Sequence, residues 1–169
     1  QMAGQVVPLY AEAPKSSGVL QDGRPQTYLG RNFSHTVWEL LREHLLLREP
    51  ENTRALEQLQ AHRRRWSEYF EGLGSSVVHR QDEDGLPVQL VVSQYEDLHW
   101  LKPFYQSLCR DVLDGRRLVL MWDEADRIIA DMECLGAAPA TNLRTLLLPE
   151  SEVPFSLLLC GANGLMEYY

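Results

Sequence analysis

The sequence predicts an α/β fold built on a short parallel sheet, and two runs carry that prediction. Leu118-Val119-Leu120-Met121-Trp122 is apolar and ends abruptly in Asp123-Glu124-Ala125-Asp126. Pro154 to Cys160 is a second apolar run, and it ends in Gly161-Ala162-Asn163-Gly164. Short apolar runs bounded by charge or glycine read as strands buried on both faces, as in a parallel sheet. Helical patterns separate them, as parallel crossovers require. Such strands deliver functional side chains at their carboxyl ends, which puts Asp123 and Glu124 at a ligand-binding rim. An acidic first helical turn after a core strand is the simpler account of the same pair, because a helix dipole favours it.

In chain order, Gln5 to Ala11 reads as a strand, although Pro8 cannot donate to a ladder and suits a central strand poorly. Pro14 to Gly30, rich in Gly, Ser, Pro and Gln, reads as a loop. Asn32 or Ser34 is placed to cap a helix through Leu47, with Val37, Leu40, Leu41 and Leu45 on one face. Pro50 suits the first turn of a second helix to Leu73, along which Leu56, Leu59, Trp66, Phe70 and Leu73 recur at helical spacing. Together, residues 31–73 make a helical hairpin. Val77-Val78 and Val88 to Val92 flank the acidic turn Gln81 to Gly85, so residues 75–93 read as a small β-hairpin. Glu96 to Leu113 is helical, with Leu98, Leu101, Phe104, Leu108 and Val112 on one side and Pro103 kinking or restarting it. Ala125 to Leu135 is a helix with Ile128, Ile129, Met132 and Leu135 inward and Gly136 as its stop. Thr141 caps a short helix through Leu148, and Pro154 to Cys160 follows as the last strand.

At 169 residues, 44% hydrophobic and 9% aromatic, the chain is sized for one core, as a single domain or a piece of one. A net charge of −8 gives nucleic-acid backbones and acidic membranes no general attraction, so such contacts would need a local basic patch. Cys109, Cys134 and Cys160 are odd in number, lack C-x-x-C spacing, and suit buried reduced thiols better than disulfides or zinc. No apolar run approaches the roughly 20 residues that span a bilayer, and no basic-then-apolar leader opens the chain. These observations predict a soluble, cytoplasmic protein, in which the Asn32-Phe33-Ser34 sequon is a chance match.

The run Leu118 to Glu124 resembles a Walker B motif. Phe155-Ser156-Leu157-Leu158-Leu159-Cys160-Gly161-Ala162-Asn163 resembles the sensor-1 strand of AAA+ and STAND ATPases. Asn142-Leu143-Arg144-Thr145-Leu146-Leu147 is similar to the helix that STAND proteins place between those strands. The resemblance covers the two ends of the chain and leaves Pro14 to Gly115 unmatched. It implies a partial three-layer P-loop NTPase-like core with sheet order sensor-1 strand, Walker B strand, N-terminal strand. Gln1 to Gly4 would then be the tail of the Walker A helix. It further implies ATP and Mg²⁺ as cofactors of an intact parent, with Asp123 holding the hydrated metal and Glu124 polarising the attacking water. Asn163 would contact the γ-phosphate, within a one-residue shift of register at Gly161-Ala162-Asn163.

The departure from that family is the P-loop: no G-x-x-x-x-G-K-S or G-K-T occurs among the 169 residues. The P-loop supplies the N–H cradle and the lysine for the phosphates, so the chain is expected to be an internal fragment, inactive alone. A second class stays open, a non-catalytic STAND-like signalling or scaffold module; so does a complete small α/β domain that never bound nucleotide. A third reading is literal, because Asp123-Glu124-Ala125-Asp126 spells the D-E-A-D motif of RNA helicases, but their P-T-R-E-L, T-P-G-R and S-A-T motifs are missing. Nucleotide and protein partners, or self-association through an unpaired edge at Phe155 to Cys160, are the expected contacts.

Other constellations point to structure. His62-Arg63-Arg64-Arg65-Trp66 is a basic cluster on a helix, read as a solvated face. His35, His44, His62, His79 and His99 show no ligand spacing. No G-x-S-x-G elbow occurs. Trp122 reads as packing against a helix rather than stacking on a ligand.

Overall fold

The computed structural model describes residues 6–12, 18–19, 25–26, 31–81, 85, 87–95, 97–126, 135–148 and 152–161. Three strands form the central sheet: β1 (Val6–Glu12), β6 (Arg117–Asp123) and β7 (Phe155–Leu159). Their order is β1-β6-β7, and both pairings are parallel. This is the order expected for the N-terminal, Asp-Glu and last strands. β1 is an edge strand among the described residues, where the donor that Pro8 lacks is tolerated.

One face of the sheet is the core. Val7, Leu9 and Ala11 of β1, Leu118, Leu120 and Trp122 of β6, and Phe155 of β7 are all buried. The other face is open at Val6, Tyr10 and Leu158, which are 41%, 55% and 52% exposed. The expectation of strands buried on both faces therefore fails on this side, and the alternation of β1 and β6 is that of a half-buried strand.

Helix α1 (Arg31–Arg48) lays Phe33, Val37, Leu41 and Leu45 inward, as its spacing predicted for the last three. Asn32 and Ser34, expected at its cap position, are instead helical. Both lie inside the helix, and Ser34 is fully buried. Helix α2 (Thr53–Glu71) starts after Pro50, which therefore lies outside its first turn, and is capped by Asn52, whose side chain accepts from the Ala55 N–H at 3.2 Å. Pro50 sits in the turn before it. The turn is fixed by Arg116, whose guanidinium grips Glu49 in two hydrogen bonds of 2.5 and 3.1 Å.

Strands β2 (Gly18–Val19) and β3 (Pro25–Gln26) form a small antiparallel pair inside the segment expected to be loop. The rest of that segment lies outside the described residues. Strands β4 (Ser75–Gln81) and β5 (Pro87–Ser93) make the expected hairpin, with Gly85 at a φ of 77° that glycine adopts freely.

The helix expected from Glu96 begins only at Leu101, as α3 (Leu101–Ser107), and continues as one π-helical turn, Leu108–Val112. Pro103 explains the late start: it occupies the first turn, where a missing N–H breaks no helical bond. Helix α4 (Ala137–Leu147) starts four residues before Thr141, which lies inside it and accepts from Thr145 Oγ1. Of the helix expected over Ala125 to Leu135, residues 127–134, including Ile128, Ile129 and Met132, lie outside the described residues.

The core is strongly aromatic. Trp38, Trp66, Phe70, Trp100 and Phe104 form one cluster between α1, α2 and α3, with neighbouring ring centroids 4.7 to 6.4 Å apart. Burying each such side chain contributes about 2–3 kcal/mol. His62 lies within the cluster. Its Nδ1 accepts from Trp38 Nε1 at 3.0 Å, and its Nε2–H points to Ser107 Oγ at 2.9 Å. No helix of the described residues is long and apolar enough to cross a membrane.

Candidate functional site

All three parallel strands end on one rim, because Glu12 is in register with Asp123 and Trp122 with Leu159. The backbone stitches that rim together: the Cys160 N–H donates to the Trp122 carbonyl at 2.7 Å and the Ala125 N–H to the Cys160 carbonyl at 2.8 Å. Between these bonds the chain turns sharply out of β6. Glu124 takes the turn at a φ of 54°, the left-handed region that non-glycine residues enter at a cost of about 1–3 kcal/mol.

Asp123 is held at both oxygens. Oδ1 accepts the Glu124 N–H at 2.9 Å, and Oδ2 accepts the Tyr10 hydroxyl at 2.9 Å. Each oxygen of a carboxylate accepts a further bond, so the group stays able to take a metal-bound water. The hydrogen bond to Asp123 holds the Tyr10 phenol above its ordinary pKa, helped by partial desolvation and the nearby charges of Asp123 and Glu12. Trp122, directly before Asp123, is fully buried and stacks on Phe33 of α1, with centroids 4.6 Å apart. It packs against a helix, as its position in the strand suggested.

Asp123 and Glu124 thus lie together at the carboxyl rim, while Asn163 lies outside the described residues. Tyr10 is the site residue that sequence reasoning missed. Its signal is register: Tyr10 is two residues before Glu12, the partner of Asp123, and so shares the face of the sheet that Asp123 occupies. Cys160 is exposed at the rim, not buried as expected, whereas Cys109 is buried and its thiol is pushed up to about 11 by burial. Both are free thiols, and Cys134 lies outside the described residues.

No group of three or more His, Cys, Asp or Glu among the described residues could enclose a metal. A groove of about 670 Å³ lies elsewhere, between Leu146, Leu148, Val153, Phe155 and Leu157 at the amino end of β7.

The basic cluster splits on the two sides of α2. His62 and Trp66 are core; Arg63 pairs with Glu39 at 2.6 Å and Arg65 with Asp111 at 3.3 Å. Comparisons with protein-family models, with curated proteins and with solved structures found no match to this chain.

Proposed function

We propose that this chain carries the metal- and water-handling part of a nucleotide-hydrolysing core of the P-loop class, resembling AAA+ and STAND ATPases. The observation that supports the reading is Asp123 at the carboxyl rim of the middle strand of a β1-β6-β7 parallel sheet, followed directly by Glu124. Asp123 would hold the water shell of Mg²⁺, oriented by Tyr10 and the Glu124 N–H. Glu124 would take the proton of an attacking water. Bound Mg²⁺ would neutralise phosphate charge.

The fit is partial. The 169 residues hold no G-x-x-x-x-G-K run, so the proposal is confined to the work of Asp123 and Glu124, and a phosphate cradle would have to be supplied beside the β7 edge that is unpaired among the described residues. The second reading is a STAND-like scaffold that recruits partners by shape without turnover.

The test is titration calorimetry with Mg-ATP on the chain alone and on the chain joined to a strand, P-loop and helix segment. The chain alone should show no micromolar binding. In the joined protein, Asp123→Ala should weaken Mg-dependent binding, and Glu124→Gln should abolish turnover while sparing binding. Full hydrolysis by Glu124→Gln would overturn the catalytic reading. Binding without turnover in the unmutated joined protein would leave the scaffold.

A further inference from the structure

Away from the sheet rim, three titratable side chains form a hydrogen-bonded line. Asp97 Oδ1 accepts from His99 Nδ1 at 2.5 Å, and Nε2 of the same ring meets the Tyr69 hydroxyl at 3.1 Å. With the Nδ1 proton held by the carboxylate, Nε2 is the acceptor and Tyr69 the donor. The line is fixed from several sides. Asp97 Oδ1 also accepts the His99 backbone N–H at 3.0 Å, and the Asp97 carbonyl accepts from Asn142 of α4 at 2.6 Å. Between the two, Leu98 is buried in the core at a φ of 61°, a left-handed backbone that an L-residue keeps only where its surroundings impose it. The Tyr69 ring stands edge-on to Trp66, centroids 5.1 Å apart. Even so, Tyr69 and His99 stay open to solvent.

A nucleophile within hydrogen-bond reach of a base, itself oriented by a third group, is the arrangement that nucleophilic catalysis uses. We propose that Tyr69 is an acyl-accepting nucleophile, with His99 as its general base and Asp97 orienting the imidazole, and that its substrates are activated esters or thioesters. The Tyr69 oxygen bonds to the acyl carbon as its proton passes to His99 Nε2. The bond from that carbon to the leaving oxygen or sulfur breaks, and the leaving group takes the proton from Nε2. O-acyl-Tyr69 and neutral His99 remain. Water, losing a proton to the same Nε2, then attacks the acyl carbon, which leaves as a carboxylic acid while the proton returns to Tyr69. This proposal is independent of the Asp123 reading.

The test treats the full chain with p-nitrophenyl acetate, follows p-nitrophenolate release and locates the adduct by peptide mass spectrometry. Tyr69 should be acetylated at least about tenfold faster than any other of the seven tyrosines. His99→Gln should slow Tyr69 acetylation about 100-fold and Asp97→Asn about tenfold, with circular dichroism unchanged. Tyr69→Phe should remove the adduct. Labelling of Tyr69 at the rate of the other tyrosines, or unchanged labelling in His99→Gln, would overturn the proposal.

Discussion

Trp38 of α1 donates its indole N–H to His62 of α2 inside the aromatic core, and this bond fixes the imidazole as the neutral tautomer. The opposite nitrogen donates toward Ser107, which in turn accepts from Trp66 Nε1 at 3.1 Å. Every polar atom of the group is therefore satisfied only while His62 is uncharged, because a proton on Nδ1 would face the indole N–H.

That arrangement predicts acid sensitivity. Burial lowers the His62 pKa from 6.5 to about 4, so between those values the unfolded chain binds the proton that the native core refuses. Stability should be full above about pH 7, fall by about 3 kcal/mol as pH drops from 6.5 to 4, and level off below. Urea unfolding across that range would measure it. A flat profile would mean that His62 is not buried as described. Trp38→Phe, which strips Nδ1 of its donor, should cost a further 1–2 kcal/mol or about that at neutral pH.

Arg116 and Glu49 tie the α1–α2 connection to the start of β6. The Arg116 hydrogen bonds hold the Glu49 carboxyl below its ordinary pKa, so the pair's contribution is present above about pH 4.5 and is lost as pH falls through the lowered value. Arg116→Ala should destabilise by about 1–2 kcal/mol at pH 7, and Arg116→Lys should recover less than half, since lysine cannot present two parallel donors. A double-mutant cycle with Glu49→Gln would isolate the coupling; a value near zero would refute it.

The backbone at Glu124 is strained for any side chain. Glu124→Gly should be at least as stable as the parent, while Glu124→Val should lose about 1–2 kcal/mol, because a β-branched residue fits the left-handed region worst. Equal stabilities of the two variants would show that the turn relaxes.

Strand β7 leaves one edge unpaired among the described residues. Pro154 and Cys160 bond β6, so by alternation the N–H and C=O groups of Leu157 and Leu159 face outward. Such an edge templates pairing with another chain. Light scattering behind a sizing column should reveal concentration-dependent self-association at tens of micromolar, and Leu158→Lys should shift the midpoint about tenfold higher. A strict monomer at millimolar concentration would contradict this.

The three strands of the central sheet were legible in the sequence because each is a short apolar run with a sharp end, and α1 because helical spacing marked Val37, Leu41 and Leu45. The order of the strands came only from the family resemblance, and the short pair β2–β3 lies in a segment that reads as loop. The boundaries were less so. Capping by Asn52 and the late start at Leu101 depend on which backbone N–H groups need partners, and several residue types nearby could have answered. Asp123 and Glu124 could be read from their place after Trp122. Tyr10 could not, because its bond to Asp123 spans 113 residues and exists only once β1 and β6 are in register. The line of Tyr69, Asp97 and His99 escaped for the same reason: the tyrosine belongs to one helix and its partners to a distant turn.

The aromatic cluster also makes the molecule its own optical instrument. Trp66 and Trp100 lie 6.4 Å apart at crossed angles, close enough for their excited states to couple and give a signed pair of near-ultraviolet dichroic bands. That signal reports docking of α2 onto α3. Trp122, stacked on Phe33 beneath the rim, emits from a separate environment. With four tryptophans in the chain, three in the helical cluster and one under Asp123, loosening of the helices and loosening of the sheet should have different colours.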